Sequence, residues 1–133
     1  MVPCVLKKST NSLRPYDIVL LGRVIPRKNF NKFINILKNK QYPRKIELLV
    51  ITNLPKSSVE REILRDLDNN LLSFAVKYDV SEEEKFGFLI QSKIYVSLSR
   101  DETFSVATME AASMGCVLIL SNYQFFRIYM VML

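Results

Sequence analysis

The chain has 133 residues, of which 49% are hydrophobic and 24% are charged, values typical of one soluble globular domain. It contains no histidine and two cysteines, Cys4 and Cys116, which excludes a Ser-His-Asp or Cys-His nucleophile and a zinc site closed by His and Cys. We expect both cysteines to be reduced thiols of a cytoplasmic protein. Residues 1–9 lack the long apolar run of a signal peptide, in line with that location.

The net charge of +6 is unevenly distributed along the chain. Residues 1–45 contain eleven Lys and Arg against one acid, Asp17, whereas residues 46–133 contain eight basic and twelve acidic residues. This asymmetry favours an anionic partner near the N-terminal third, either a phosphorylated small molecule or a nucleic acid. The alternative is a basic face that only contacts water.

The first predicted elements are a strand and a helix. Asp17–Gly22 is a continuous apolar run that ends in glycine, which predicts a strand buried on both faces. After the basic stretch Arg23–Lys28, apolar residues recur at helical spacing within Asn29–Asn39, and this predicts an amphipathic helix.

The middle of the chain repeats this alternation. Ile46–Thr52 predicts a second strand, and Ser57 or Ser58 can cap a helix that runs to about Leu72. Ser73–Val76 predicts a third, weaker strand.

The last third predicts two more strands and two helices. Ser81 and Glu84 have the spacing of a capping box, which predicts the start of a helix. Further strands are predicted at Ile94–Leu98 and Val117–Leu120, on either side of a helix from about Phe104 to Met114 that Gly115 ends.

Strands that alternate with helices predict an α/β, Rossmann-like single domain, a mostly parallel sheet with helices on both faces. We place this domain at residues 16–122, between an N-terminal lead-in of residues 1–15 and an apolar tail of residues 123–133. Ligands of such sheets bind at the carboxyl ends of the strands. Four segments are predicted along that edge: Gly22–Lys28, Asp79–Ser81, Leu98–Thr103 and Ser121–Tyr123.

One candidate site lies in the loop after the first strand. Gly22 allows the backbone to approach a ligand closely, and Arg23 and Lys28 place two cations five positions apart at the same edge. These charges, with the amides at the start of the next helix, suit a diphosphate. Solvated basic side chains are the alternative.

A second candidate site contains two glutamates, Glu102 and Glu110, with seven residues between them. Glu110 lies in an otherwise apolar helix, where a buried carboxylate needs a polar ligand or a cation as its partner. It can accept two hydroxyl hydrogen bonds, such as those of a ribose diol. The alternative is an acid that points to solvent.

The strings GRVIPRKN and RDETFSVATMEAASMGCVLILS together resemble the C-terminal, donor-binding domain of the family 4 glycosyltransferases, which have the GT-B fold. The resemblance covers roughly residues 17–122. It implies that Arg23 and Lys28 bind the donor diphosphate and assist its departure, and that Glu110 binds the ribose. It also implies that Glu102, with the amides of Thr103 and Phe104, holds the donor sugar and the reacting centre.

The resemblance further implies transfer of a hexosyl group from a nucleotide-sugar with retention of configuration, without a bound metal or other cofactor. Ser105 stands where the family usually has glycine, so we expect it to crowd the donor or to change donor preference. The family's acceptor-binding N-terminal domain is not found in these 133 residues. We therefore expect donor binding, with transfer only alongside a separate acceptor-binding chain or in a homodimer.

The tail of residues 123–133 is strongly apolar but shorter than the roughly 20 residues that span a bilayer. It suits docking on the core, a partner contact, or a peripheral contact with the cytoplasmic membrane surface. Two other functions stay open. One is a non-catalytic nucleotide or nucleotide-sugar binding module. The other, less favoured because few aromatics interleave with the basic residues, is a nucleic-acid binder, and we expect no specific nucleic-acid partner.

Overall fold

The structure is a computed structural model that describes residues 14–40, 44–67, 73–99 and 106–121. Within these residues five strands alternate with four α-helices, in the order β1 (Tyr16–Leu21), α1 (Phe30–Lys38), β2 (Glu47–Thr52), α2 (Ser58–Leu67), β3 (Ser73–Tyr78), α3 (Glu82–Ile90), β4 (Ser92–Ser97), α4 (Val106–Ser113) and β5 (Val117–Leu120). The strands form one sheet in the order β3-β2-β1-β4-β5, and every pairing is parallel. The predicted α/β, Rossmann-like class is confirmed.

The predicted elements shift by a few residues at their ends. β3 extends to Tyr78 because it pairs with β2 as far as Thr52, and β4 begins at Ser92 because that residue pairs with Tyr16 of β1. The capping box is present, since the Ser81 hydroxyl accepts from the Glu84 amide at 3.1 Å and the Glu84 carboxylate accepts from the Ser81 amide at 2.9 Å. The predicted helix ends at 72 and 104 and the tail lie outside the described residues.

The two faces of the sheet have separate cores. Ile18 and Leu20 of β1 pack with α1 and α2, whereas Val19 packs on the other face with α3 and α4. The strand order reverses between β1 and β4. From β1 the chain adds β2 and then β3 on one side, and it then crosses back to add β4 and β5 on the other side of β1. Such a reversal opens a crevice at the carboxyl ends of the two central strands, which is where sheets of this class bind ligands.

The opposite, amino-terminal edge of the sheet contains buried polar contacts that stabilise the fold. Arg14 is buried and donates hydrogen bonds to the carbonyls of Leu89, Ser92 and Met114 at 3.2, 2.6 and 2.7 Å. These bonds join the ends of α3 and α4 to the start of β4. Cys116 lies beside them as a free, buried thiol, and burial raises its pKa to about 11. Cys4 lies outside the described residues.

Asp17 is the second buried polar group at this edge. Its carboxylate accepts from both terminal nitrogens of Arg44 at 2.6 and 2.9 Å, from the Glu47 amide at 2.9 Å and from Lys93 at 3.3 Å. The hydrogen bond from Arg44 is the largest cause that lowers the pKa of Asp17 from 3.8 to about 2, against the opposing effect of burial.

This lowered pKa predicts a pH-dependent stability. Because the folded pKa lies below the unfolded one, the stabilisation is complete above pH 4 and is lost as the pH falls towards 2. The loss is about 2 kcal/mol in the free energy of unfolding. Urea unfolding of the wild type and of Asp17→Asn between pH 2 and pH 6 measures it, with Asp66→Asn as an exposed control. A difference between wild type and Asp17→Asn that does not change with pH would contradict the prediction.

Candidate functional site

The carboxyl end of β1 brings Gly22 and Lys28 together. Gly22 has a φ of 131°, a conformation that favours glycine, and its amide donates to the Ile51 carbonyl at 3.0 Å. A Cβ built at position 22 would lie 3.8 Å from Cε of Lys28, so the lysine side chain folds back over the end of the strand. The side chain that lies near Gly22 in the structure is therefore the lysine of the same loop. The close approach of a ligand to Gly22 stays a prediction.

Asn29 closes this loop onto the neighbouring strand. Residues Pro26–Lys28 form a short 3₁₀ turn that ends at Asn29, whose φ of 56° is left-handed. Its side-chain amide donates to the Leu98 carbonyl at 2.8 Å, a hydrogen bond that crosses the crevice between β1 and β4. Asn29 is not among the predicted site residues, although asparagine is one of the few residues that adopt this conformation readily.

Arg23 is held at the edge of the sheet by Glu60, an acid that is not among the predicted site residues. Nη2 of Arg23 lies 2.8 Å from Oε1 of Glu60, whose side chain is only 2% exposed. The carboxylate also accepts from the Lys56 amide at 3.2 Å and from the Ser57 hydroxyl at 3.4 Å. The hydrogen bond from Arg23 is the largest cause that lowers the pKa of Glu60, and burial opposes it. The buried face of α2 consists of Glu60, Ile63 and Leu67. This helical spacing is the sequence pattern from which the burial of Glu60 could have been predicted.

The pairing with Glu60 leaves Arg23 able to bind a ligand. Its side chain is 48% exposed, so part of the guanidinium faces solvent while one nitrogen contacts Glu60. A guanidinium has five N–H donors in a planar fork, and it can bind a carboxylate and a phosphate at once.

Glu110, on α4, has a cationic partner. Nζ of Lys85, from α3, lies 2.9 Å from Oε1 and 3.1 Å from Oε2 of Glu110. Both side chains are largely buried, at 16% exposure for Lys85 and 18% for Glu110. Of the two partners that the sequence left open, a polar ligand or a cation, the described contact is with a cation. The alternative of an acid that points to solvent is wrong.

Lys85 bridges two acids. Its ammonium also lies 2.9 Å from Oε1 of Glu82, one turn earlier on α3, and Glu82 is mostly exposed. Burial acts to lower the pKa of Lys85, but the hydrogen bonds to Glu82 and Glu110 outweigh it and raise that pKa. The ammonium is therefore charged throughout the physiological pH range.

The ends of β4 and β5 add a hydroxyl to the same edge. The Ser121 hydroxyl donates to the Ser99 carbonyl at 2.9 Å, and the Ser121 amide donates to the Ser97 carbonyl at 2.8 Å. Ser99 itself is buried, and its Oγ has no hydrogen-bond partner among the described residues. A buried hydroxyl of this kind indicates a place where water or a ligand completes the bonding.

Four predicted site residues, Glu102, Thr103, Phe104 and Ser105, lie outside the described residues, so their proposed contacts stay predictions. The predicted site residues that are described belong to two parts of the fold. Gly22, Arg23 and Lys28 follow β1, whereas Glu110 lies on α4, in the connection from β4 to β5.

No group of three His, Cys, Asp or Glu side chains suited to a metal ion occurs among the residues that the structure describes. None of the described helices has the length and apolar character to cross a membrane. The basic residues of the N-terminal third are also dispersed, since Arg14 is buried at the amino edge, Arg44 binds Asp17 and Arg23 binds Glu60.

Two comparisons with known proteins bear on this site. A search of curated proteins finds no match for the chain. The family described as glycosyl transferases group 1 matches residues 5–132. That range contains every described strand and helix, together with all of the predicted site residues. The chain therefore belongs to the glycosyl transferases group 1 family.

Proposed function

We propose that this chain is the nucleotide-sugar-binding domain of a glycosyltransferase and that the donor lies at the carboxyl ends of β1 and β4. The observation that carries the proposal is the loop of residues 22–29. It holds Arg23 at the edge of the sheet through Glu60 and closes onto β4 through Asn29, within a chain of this family. A fixed guanidinium beside a glycine turn is a suitable site for a diphosphate.

In this proposal Arg23 and Lys28 bind the diphosphate and stabilise its negative charge as the sugar departs. Glu110 accepts hydrogen bonds from the ribose hydroxyls. Glu102, with the amides of Thr103 and Phe104, holds the donor sugar, and Ser105 restricts which sugar fits. These roles follow the family 4 resemblance, and two contacts support them: Arg23 is held by Glu60, and Glu110 is held by Lys85.

We further propose that the group transferred is a hexosyl group, that its configuration is retained, and that no metal or other cofactor takes part. Transfer requires an acceptor hydroxyl held beside the anomeric carbon, and such positioning supplies roughly 7–11 kcal/mol of the barrier. We assign this task to an acceptor-binding domain that faces the donor site. A radiolabelled donor incubated with this chain and mixed acceptors tests the assignment. Labelled product that disappears in Glu102→Ala would contradict it.

Donor binding itself is tested by thermal unfolding with uridine, guanosine and adenosine diphosphates and their hexose derivatives. A ligand at 100 times its dissociation constant adds about 2.7 kcal/mol to the free energy of unfolding, so one nucleotide series is expected to raise the midpoint clearly. The matched nucleoside without phosphates is the control, because it lacks the group that Arg23 and Lys28 bind. We expect EDTA to leave the shift unchanged. The absence of stabilisation by every nucleotide would contradict the proposed function.

A further inference from the structure

The contact between Lys85 and Glu110 joins α3 to α4. The ammonium reaches both carboxylate oxygens, at 2.9 and 3.1 Å, and the pair is largely buried. The motif that predicts a ribose-binding role for Glu110 says nothing of residue 85. This cation is therefore a component of the site that neither the resemblance nor the family match assigns.

The geometry leaves Glu110 able to bind two hydroxyls. A carboxylate offers about four lone-pair positions, and the ammonium occupies one on each oxygen. The remaining position on each oxygen suits one hydroxyl of a diol. A carboxylate held at both oxygens cannot rotate freely, so these two acceptor positions are fixed before a ligand arrives, which lowers the cost of binding.

The charge of Lys85 has a second consequence. Without it, Glu110 would be a partly buried anion at a site that is proposed to accept a diphosphate, and like charges repel strongly where water is scarce. With it, the pair is neutral. Glu82 binds the same ammonium from the solvent side and holds it in place.

We propose that Lys85 is a positioning residue for ribose recognition. It fixes and neutralises the carboxylate of Glu110, so that the site distinguishes ribonucleotides from deoxyribonucleotides. The inference rests on the proposed function, because it takes Glu110 as the ribose ligand. It adds to that function the residue that makes Glu110 selective.

The experiment is calorimetric titration of the full chain with whichever of uridine, guanosine and adenosine diphosphate binds, and with its 2′-deoxy and 3′-deoxy forms. Hydrogen bonds to a charged acceptor are strong, so we expect the wild type to prefer the ribonucleotide by roughly tenfold or more over at least one deoxy form. In Lys85→Met we expect weaker binding of the ribonucleotide and a preference reduced to about twofold or less. In a Glu110→Gln background, Lys85→Met is expected to change the preference no further.

Three variants serve as controls. Lys45→Met removes the same charge from an exposed position just before β2, at the amino-terminal edge of the sheet. This variant is expected to leave the preference unchanged. Glu82→Gln removes the charge of the exposed partner of Lys85 but keeps a hydrogen-bond acceptor, and it is expected to reduce the preference less than Lys85→Met does. Lys85→Arg keeps a cation with several donors and is expected to retain most of the preference. Urea unfolding of each variant separates a loss of selectivity from a loss of folded protein.

Each outcome has one meaning. A ribonucleotide preference that survives in folded Lys85→Met overturns the positioning role and leaves the proposed function standing. Tighter nucleotide binding by Lys85→Met also overturns it, because Lys85 would then compete with the ligand for Glu110. If no nucleoside diphosphate binds the wild type, the proposed function fails, and the role of Lys85 fails with it. A preference that disappears in Lys85→Met and persists in Lys45→Met supports the inference.

Discussion

Replacement of Arg14 with methionine is expected to lower the free energy of unfolding by about 3–5 kcal/mol, since each hydrogen bond from a charged donor contributes roughly 1.5–3 kcal/mol. Methionine keeps most of the side-chain volume but donates no hydrogen bond. The carbonyls of Leu89, Ser92 and Met114 would lose their charged donor together. The Cys116 thiol still reaches two of the three carbonyls, at 3.3 and 3.5 Å, which limits the loss. A domain of this size is stable by about 5–15 kcal/mol, so the effect is a large share of the total.

Urea unfolding followed by circular dichroism measures this change. Arg27→Met is the matched control, because Arg27 is exposed in the 3₁₀ turn and its replacement is expected to change stability little. Arg14→Lys separates charge from geometry, since a single ammonium cannot reach three carbonyls as the planar guanidinium does. A loss below about 1 kcal/mol in Arg14→Met, comparable with an exposed substitution, would show that the three hydrogen bonds do not stabilise the domain.

Arg23→Ala is expected to weaken nucleoside diphosphate binding by about 1.5–3 kcal/mol, which corresponds to roughly 10- to 150-fold in the dissociation constant. The substitution removes the guanidinium that we propose as a phosphate ligand. It also leaves Glu60 as a buried carboxylate without its cation, so a more negative site faces the ligand. Both effects act in the same direction.

Calorimetric titration of three variants resolves these contributions. Arg27→Ala removes the same charge from the same loop at an exposed position, and we expect it to bind almost as the wild type does. Glu60→Gln keeps a hydrogen-bond acceptor for Arg23 but not the negative charge, and we expect an intermediate affinity because the guanidinium is less firmly held. Equal affinities in Arg23→Ala and the wild type would remove Arg23 from the site.

The two anchors of the proposed site share one arrangement. Arg23 is fixed by a buried acid from α2, and Glu110 is fixed by a buried cation from α3. In each case the partner reduces the freedom of the residue that would contact the ligand, and it compensates a charge that burial would otherwise penalise. Supporting contacts of this kind hold a site in its binding geometry before the ligand arrives.

The local pattern of the sequence was sufficient for the fold class. Apolar runs such as 18–20 and 48–51 are buried on both faces of the sheet, as a continuous apolar strand predicts. The capping box at Ser81 fixed the start of α3, since it depends on residues only three positions apart. The ends of β3 and β4 were less predictable, because they depend on how far the neighbouring strands continue to pair.

The sequence by itself determined which elements form, because periodicity, capping and glycine turns act over a few residues. It also predicts Gly22, Arg23, Lys28 and Glu110 as site residues. Only the tertiary structure decided their partners. Glu60 lies 37 positions from Arg23, Lys85 lies 25 from Glu110, and Arg14 binds carbonyls 75 to 100 positions away. Such pairs form when segments that are distant in the sequence meet in the folded domain, and no local pattern carries the information on which side chains then come within hydrogen-bonding distance.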